Sequence, residues 1–297
     1  MKILFKILEK VSKFLINLIP LYYKKNHKFL NKNQVSNASV VLSLLKDKIQ
    51  PKIILDVGCG HGEWFLKTNK FFPNSKYILF DGNKHNEKKL SLLKNKYKDL
   101  DYKICLLSDS IKKLKFFNMG YGSSVYEEKT NFKRDIEYIT SSTLNNELKY
   151  KKISSNNNLI KLDVQGSEID ILKGLEDYIS LFEVIILETS VREYNKNGPL
   201  FIDVINFLNE KNYSLYDIFD LKRLGLNHSF LVQFDAIFVR KDSSLLNELR
   251  SKRASWPWLS SSQSLSYSLD FCLINSSRWM ELNLSTRSFC KGSLFVE

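Results

Sequence analysis

The sequence is poor in the residues that mark specialised architectures. Four cysteines in 297 residues, with no paired spacing, argue against a disulfide framework and against a zinc ribbon. A reducing, cytoplasmic setting is the expectation that follows. Eleven glycines and five prolines exclude collagen, and no apolar heptad persists long enough for a coiled coil. No RNP-type aromatic box, helix-turn-helix or zinc finger is legible. What remains is 43% hydrophobic and 13% aromatic residues, too much apolar material for a disordered chain. The length suits one large domain with extensions and is ample for a core.

Charge is the second feature. The 45 Lys and Arg outnumber the 32 Asp and Glu, for a formal +13. The excess is almost all lysine, spread through every segment among many asparagines, which reads as compositional bias rather than a patch. A nucleic-acid substrate is therefore not expected, and anionic lipid headgroups are at least as good a match for the charge.

Three regions differ along the chain. In residues 1–33, Leu4, Leu8, Val11, Leu15 and Leu18 form a helical stripe interrupted by Lys2, Lys6, Lys10 and Lys13 and stopped by Pro20. This run is too short and too charged to span a bilayer, and no small-residue cleavage site marks a signal peptide. Two readings stay open: an amphipathic helix packed on the domain, or an in-plane helix contacting the inner face of a membrane through residues 1–20. Residues 34–242 alternate β-rich apolar runs with helical patterns. Residues 243–297 hold 15 serines, two lysines and three of the four tryptophans, and read as an appendage of unknown role.

Within residues 34–242, strands are expected at Ile53–Val57, Tyr77–Asp81, Tyr102–Leu107, Leu159–Asp163, Glu183–Glu188, Tyr213–Phe219 and Gln233–Arg240. Helices are expected at Trp64–Phe72, Glu87–Tyr97, Glu168–Leu175 and Phe201–Glu210. Runs such as KIILDVG, LIKLDVQG and VIILETS are apolar on both alternations, as in parallel strands covered on both faces. The order implies a three-layer α/β domain. Only a short link joins the last two strands, so they should pair antiparallel at one edge.

The sharpest local signal is Asp56-Val57-Gly58-Cys59-Gly60-His61-Gly62, directly after the first strand. Alternate glycines allow a sharp turn and a close ligand approach, with a helix start just beyond. A dinucleotide fingerprint would have glycine at position 63, where Glu63 would repel a pyrophosphate. The spacing instead suits S-adenosylmethionine (SAM), which carries no phosphate. Asp81, ending the second strand, is placed to accept hydrogen bonds from a ribose diol. Ser108 and Asp109, after the third strand, are candidates for the adenine. A second motif, Leu159 to Glu168, delivers Asp163, Gln165 and Glu168 at a strand's carboxyl end, where open α/β sheets bind ligands. Two neighbouring carboxylates should raise one pKa, as a general base for a hydroxyl needs. For Glu168 the competing reading is a favourable helix-start charge. Gly174 is expected to end that helix in a left-handed conformation.

Taken together, DVGCGHG, LFDGN, GYGSS, LIKLDVQGSEIDILKG, VIILE and LVQFDAIFVR resemble the FkbM-type SAM-dependent methyltransferases over residues 50–241. The resemblance implies a class I methyltransferase, Rossmann-like fold: a mostly parallel seven-stranded sheet with one antiparallel edge strand. It implies O-methylation, often of sugars in surface glycans or secondary metabolites. By that pattern Asp56, Gly58, Cys59, Gly60, His61 and Gly62 surround the methionine part of SAM. Asp81 takes the ribose, Ser108 and Asp109 flank the adenine, and Asp163, Gln165 and Glu168 face the reaction centre. His61 stands where asparagine is frequent and Gly82 where proline is common. The expected partner is a small-molecule or glycan hydroxyl acceptor. Asp163 is the favoured proton acceptor, and His228 an alternative. A divalent metal held by Asp163, Glu168 and Glu188 is a weaker idea. A nicotinamide-dependent oxidoreductase and a non-catalytic glycan- or membrane-associated module are the competing readings.

Overall fold

A computed structural model describes residues 37–246, except 121, 150, 152, 154, 155, 226 and 227. The amphipathic stripe of residues 1–20 and nearly all of the serine-rich segment lie outside the described residues.

The chain opens with α1 (Ala38–Leu45), capped by Asn37, whose side chain accepts from the Ser39 and Val40 amides. Then follow β1 (Ile53–Val57), α2 (Glu63–Thr68), β2 (Lys76–Asp81), α3 (Glu87–Lys96) and β3 (Leu100–Ile104). A hairpin of β4 (Lys113–Asn118) and β5 (Asp135–Thr140) and the short α4 (Leu144–Leu148) interrupt the alternation. It resumes with β6 (Asn158–Leu162), α5 (Glu168–Lys173), β7 (Phe182–Ser190), α6 (Phe201–Glu210), β8 (Tyr213–Leu224) and β9 (Phe230–Arg240).

Seven strands form one sheet in the order β3-β2-β1-β6-β7-β9-β8. β1, β2, β3, β6 and β7 run parallel, and β9 runs antiparallel to both β7 and β8. The last two strands do pair antiparallel at one edge. The strand that opposes the rest lies one place inside that edge, because β8 closes the sheet beyond it. β4 and β5 form a separate two-stranded sheet.

Both faces of the central strands are buried, as their unbroken apolar runs require. Leu55, Val57, Ile160, Leu162, Ile185 and Leu187 join one core with Ile171 and Leu172 of α5 and Val204 and Leu208 of α6. Ile54, Leu159, Val184, Ile186, Ile237 and Val239 join the other, against α1, Phe65 of α2 and Leu90 of α3. Side chains alternate across a strand, so this division follows from residue parity alone. Gly174 closes α5 in a right-handed conformation (φ −69°), not the left-handed one expected. Its glycine serves close approach instead: a Cβ there would lie 2.3 Å from the Ser108 carbonyl oxygen.

Candidate active site

Sheet parity decides which polar groups meet. Asp56 of β1 and Lys161 of β6 are register partners, so their side chains project to the same face. Glu188 of β7 and Asp235 of β9 are partners too, on the face that carries Ile186 and Ile237. All four lie towards the carboxyl ends of the parallel strands. Asp163 follows β6 by one residue and joins them.

Between the turn after β1 and this polar group runs a cleft of about 1030 Å³, large against the ~300–1000 Å³ usual for ligand sites. One end is the glycine turn. Gly58, Gly60 and Gly62 adopt φ of 76°, 54° and 83°, where a side chain would strain the backbone. Gly58 also abuts the turn after β6: a Cβ there would sit 2.0 Å from the Asp163 carbonyl oxygen. Gly58, Cys59, Gly60 and His61 line the cleft, whereas Gly62 packs behind it near Leu93. Asp81 lines the cleft from the end of β2. One of its oxygens accepts from the Gly60 amide (2.7 Å), the other from the Asn83 amide (2.8 Å) and Asn86 Nδ2 (3.0 Å). The middle is apolar, with Phe80, Leu106, Leu107, Phe116, Val125 and Ile171.

At the other end, Lys161 Nζ lies 3.0 Å from Asp163 Oδ2 and 3.9 Å from Asp56 Oδ1, with its side chain only 7% exposed. Burial alone would lower the Lys161 pKa, but Asp163 and Asp56 outweigh it and keep the ammonium charged. Burial likewise opposes ionisation of Asp163. Lys161 and Lys222, with hydrogen bonds from Lys161 and Gln165, overcome it and hold that carboxyl below its ordinary value. Asp163 is thus a fixed carboxylate rather than the raised-pKa base expected from the sequence. Asp56 is fully buried, and neither of its oxygens has a hydrogen-bond partner among the described residues. Burial pushes it up to about 6 against the pull of Lys161.

Gln165 is a joint. Its Nε2 donates to Asp163 Oδ1 (2.9 Å) and Glu188 Oε2 (2.6 Å). Its backbone is left-handed (φ 56°), a costly state for a non-glycine residue. Ser124 Oγ and Asn195 Nδ2 both donate to its carbonyl and hold that state. Glu188 also accepts from Gln233 Nε2 (3.2 Å) and pairs with Lys222.

Several expected residues stand elsewhere. Glu168 is buried and turned away from the cleft. Its carboxylate caps the turn before α5, accepting from the Val164 (3.1 Å) and Gly166 (3.0 Å) amides. Burial pushes it up to about 7. Ser108 is buried outside the cleft lining, and Asp109 turns outward to Lys112 (2.6 Å), which holds its carboxyl near 2. Cys105, Leu106 and Leu107 line that wall instead, because β3 ends at Ile104 and the chain turns earlier than expected. His228 is exposed outside the cleft lining, with Nδ1 3.3 Å from the Arg223 carbonyl oxygen. Burial, then Asp56 and Asp81, push the Cys59 thiol well up, which makes it inert. Among the described residues, no group of three His, Cys, Asp or Glu is arranged to hold a metal ion. No described helix is long and apolar enough to cross a membrane.

Lys161, Lys222, Gln233 and Asp235 line the cleft without having been singled out in the sequence. A lysine inside the apolar run LIKLDV was the one available signal. The other three sit on β8 and β9, and only strand pairing brings them to the site.

Residues 56–215 match the family described as the methyltransferase FkbM domain, more than half of the chain. The chain belongs to the FkbM methyltransferase family. No curated protein matches it. Among solved structures, the FkbM-family chain is similar to the precorrin-6y C5,15-methyltransferase of Geobacter metallireducens GS-15. Identity is 12% and the TM-score 0.39, over 70% of this chain and 93% of that one. Fibrillarin of Aeropyrum pernix, solved with natively bound SAM, gives 10% identity and a TM-score of 0.39, over 66% and 73%. The 1,6-didemethyltoxoflavin-N1-methyltransferase of Burkholderia thailandensis gives 9% and 0.39, over 79% and 90%.

The residues present fit SAM. The glycine turn exposes backbone without Cβ atoms at the cleft wall. Asp81 sets an anionic acceptor at the end of β2. The apolar stretch between Phe80 and Ile171 offers a surface for a purine. None of these groups offers a phosphate a cationic clamp.

Proposed function

We propose that this chain moves a methyl group from SAM to a hydroxyl oxygen of a sugar, in a surface glycan or a secondary metabolite. The observation that carries this reading is continuity. The glycine turn and Asp81 line the same cleft as Asp163, Gln165, Lys222, Gln233 and Asp235. A polyol needs such a mixture of charged acceptors and donors at close quarters.

Gly58, Cys59, Gly60 and Asp81 would hold the donor, with Cys105 to Leu107 beside its base. SAM, when bound, supplies an electrophilic methyl carbon whose bond to sulphur breaks with the electron pair left on sulphur. The protein's part is to orient and to keep water out. Asp163, fixed as a carboxylate by Lys161 and Gln165, accepts a hydrogen bond from the acceptor sugar. Gln165 ties Asp163 to Glu188, so both carboxylates move as one wall. Glu168 acts at one remove, by capping the turn that presents Gln165. The lysine-punctuated stripe of residues 1–20 supports peripheral contact with an anionic membrane face, near where envelope glycans are assembled.

The test is transfer of radiolabelled methyl from SAM into fractionated cell-envelope extracts. Label in a carbohydrate fraction, stable to base, supports an ether product. Label confined to protein or nucleic acid contradicts it.

A further inference from the structure

The carboxylates at this end of the sheet differ in what already occupies them. Asp163 is engaged by Lys161 and Gln165, and Glu188 by Gln165, Gln233 and Lys222. Asp81 is engaged by Gly60, Asn83 and Asn86, and Glu168 by the Val164 and Gly166 amides. Asp220 accepts from the Ala38 amide. Asp56 has no hydrogen-bond partner among the described residues, but it faces Lys161 at 3.9 Å and does not line the cleft. Asp235 lines it, and its carboxylate makes no hydrogen bond or ion pair among the described residues.

Resting on the methyl-transfer reading above, we propose that Asp235 is the catalytic residue that takes the proton from the acceptor hydroxyl. Its lone pairs are free for a hydroxyl, while every other carboxylate of the cleft lining has a partner to lose first. As the acceptor oxygen bonds to the donor's methyl carbon, its proton passes to Asp235 and from there to water.

The surroundings tune it for this. Burial is the main influence, and Asp163 at the end of β6 adds to it, together raising the carboxyl to about 6. Lys161 of β6 and Lys222 of β8 pull it down, and Asp220 of β8 pushes it up. Glu188 faces it from β7 with its charge taken up by Lys222. A base in this range is largely ionised at neutral pH and still strong enough to share a hydroxyl proton.

The experiment uses the full chain and two readouts. In carbon-13 titration of side-chain carboxyls, one aspartate with a midpoint near 6 should vanish in Asp235→Asn. In assays with radiolabelled SAM and purified cell-envelope polysaccharide, kcat/KM of the parent should fall below pH 6. Asp235→Asn should lose about 10²–10⁴-fold at pH 7.5 with unchanged SAM affinity, and Asp235→Glu should regain part of it. A midpoint for Asp235 below 4.5, or near-parental turnover in Asp235→Asn, overturns the assignment. No label transferred by the parent enzyme contradicts the methyl-transfer reading itself, and the role of Asp235 falls with it.

Discussion

Lys161 is 5% exposed and lies between Asp56 and Asp163, with its ammonium 5.9 Å from the Trp64 ring centroid. Removing one member of a buried charge group leaves the others uncompensated, at a cost of about 3–5 kcal/mol. Lys161→Met should therefore lose that much stability in urea unfolding at pH 8, and less at pH 5, where the two carboxyls take up protons. An equal loss at both pH values would contradict the electrostatic origin. Glu168 carries its own pH signature. Its folded pKa of about 7 lies above the ordinary 4.5. Between those values the folded state holds a proton the unfolded state has released, so its contribution falls as pH rises through the window. The total is on the order of 3 kcal/mol. Parental stability relative to Glu168→Gln should decline from pH 4.5 to pH 7, and a flat difference would show the carboxyl already ionised. Asp163 has the opposite character, held ionised throughout. Asp163→Asn should lower kcat by roughly 10²-fold through lost orientation while SAM affinity changes little. In that variant the acidic midpoint expected for Asp235 should persist but move below 6, because the Asp163 charge is one of the influences that raise it.

Among the elements, the loop that lines the cleft with Ser124, Val125 and Glu128 is held by bonds that no sequence pattern displays. Arg134 donates to the carbonyls of Glu128 (2.7 Å) and Thr130 (2.5 Å). Glu128, in the loop between β4 and β5, makes an isolated antiparallel bridge to Asn195, and the Tyr126 and Tyr194 hydroxyls reach Asp170 (2.8 Å) and Glu128 (2.7 Å). Arg134→Ala should speed amide hydrogen exchange over residues 124–131 and raise KM for the acceptor, with SAM affinity unchanged. Parental exchange there would show the segment is held by its other bonds alone. The parallel strands were legible because burial on both faces writes an apolar run into each, as in IILDV and VIILE. β4 and β5 were not. KLKFFN and DIEYIT put Lys113, Lys115, Ile136 and Tyr138 on one outward face, so the alternation in DIEYIT turns its apolar residues to solvent and KLKFFN shows no clean alternation. α1 was missed for another reason. Its cap, Asn37, sits in an asparagine-rich stretch where no single asparagine stands out.

Across the whole molecule, the cleft lies where the chain crosses from one half of the sheet to the other, between β1 and β6. Open α/β sheets bind ligands at such a place. The donor half of the site was readable because it is local: strand, acid and glycines follow one another in ten residues. The acceptor half was only half readable. Asp163 and Gln165 stand in one motif, whereas Lys222, Gln233 and Asp235 come from β8 and β9, an antiparallel pair roughly 60–70 residues further along the chain. Sequence also misplaced the adenine wall by a few residues, since strand ends follow from pairing partners that a single sequence does not show. A crystal structure of the full chain with S-adenosylhomocysteine tests the central claim most directly. The ligand should lie along Gly58 and Gly60 with its ribose diol on Asp81, displacing the Gly60 amide from that carboxylate, and its base against Leu106 and Leu107. Density elsewhere, or a cleft that stays closed over Asp81 at saturating ligand, would contradict it.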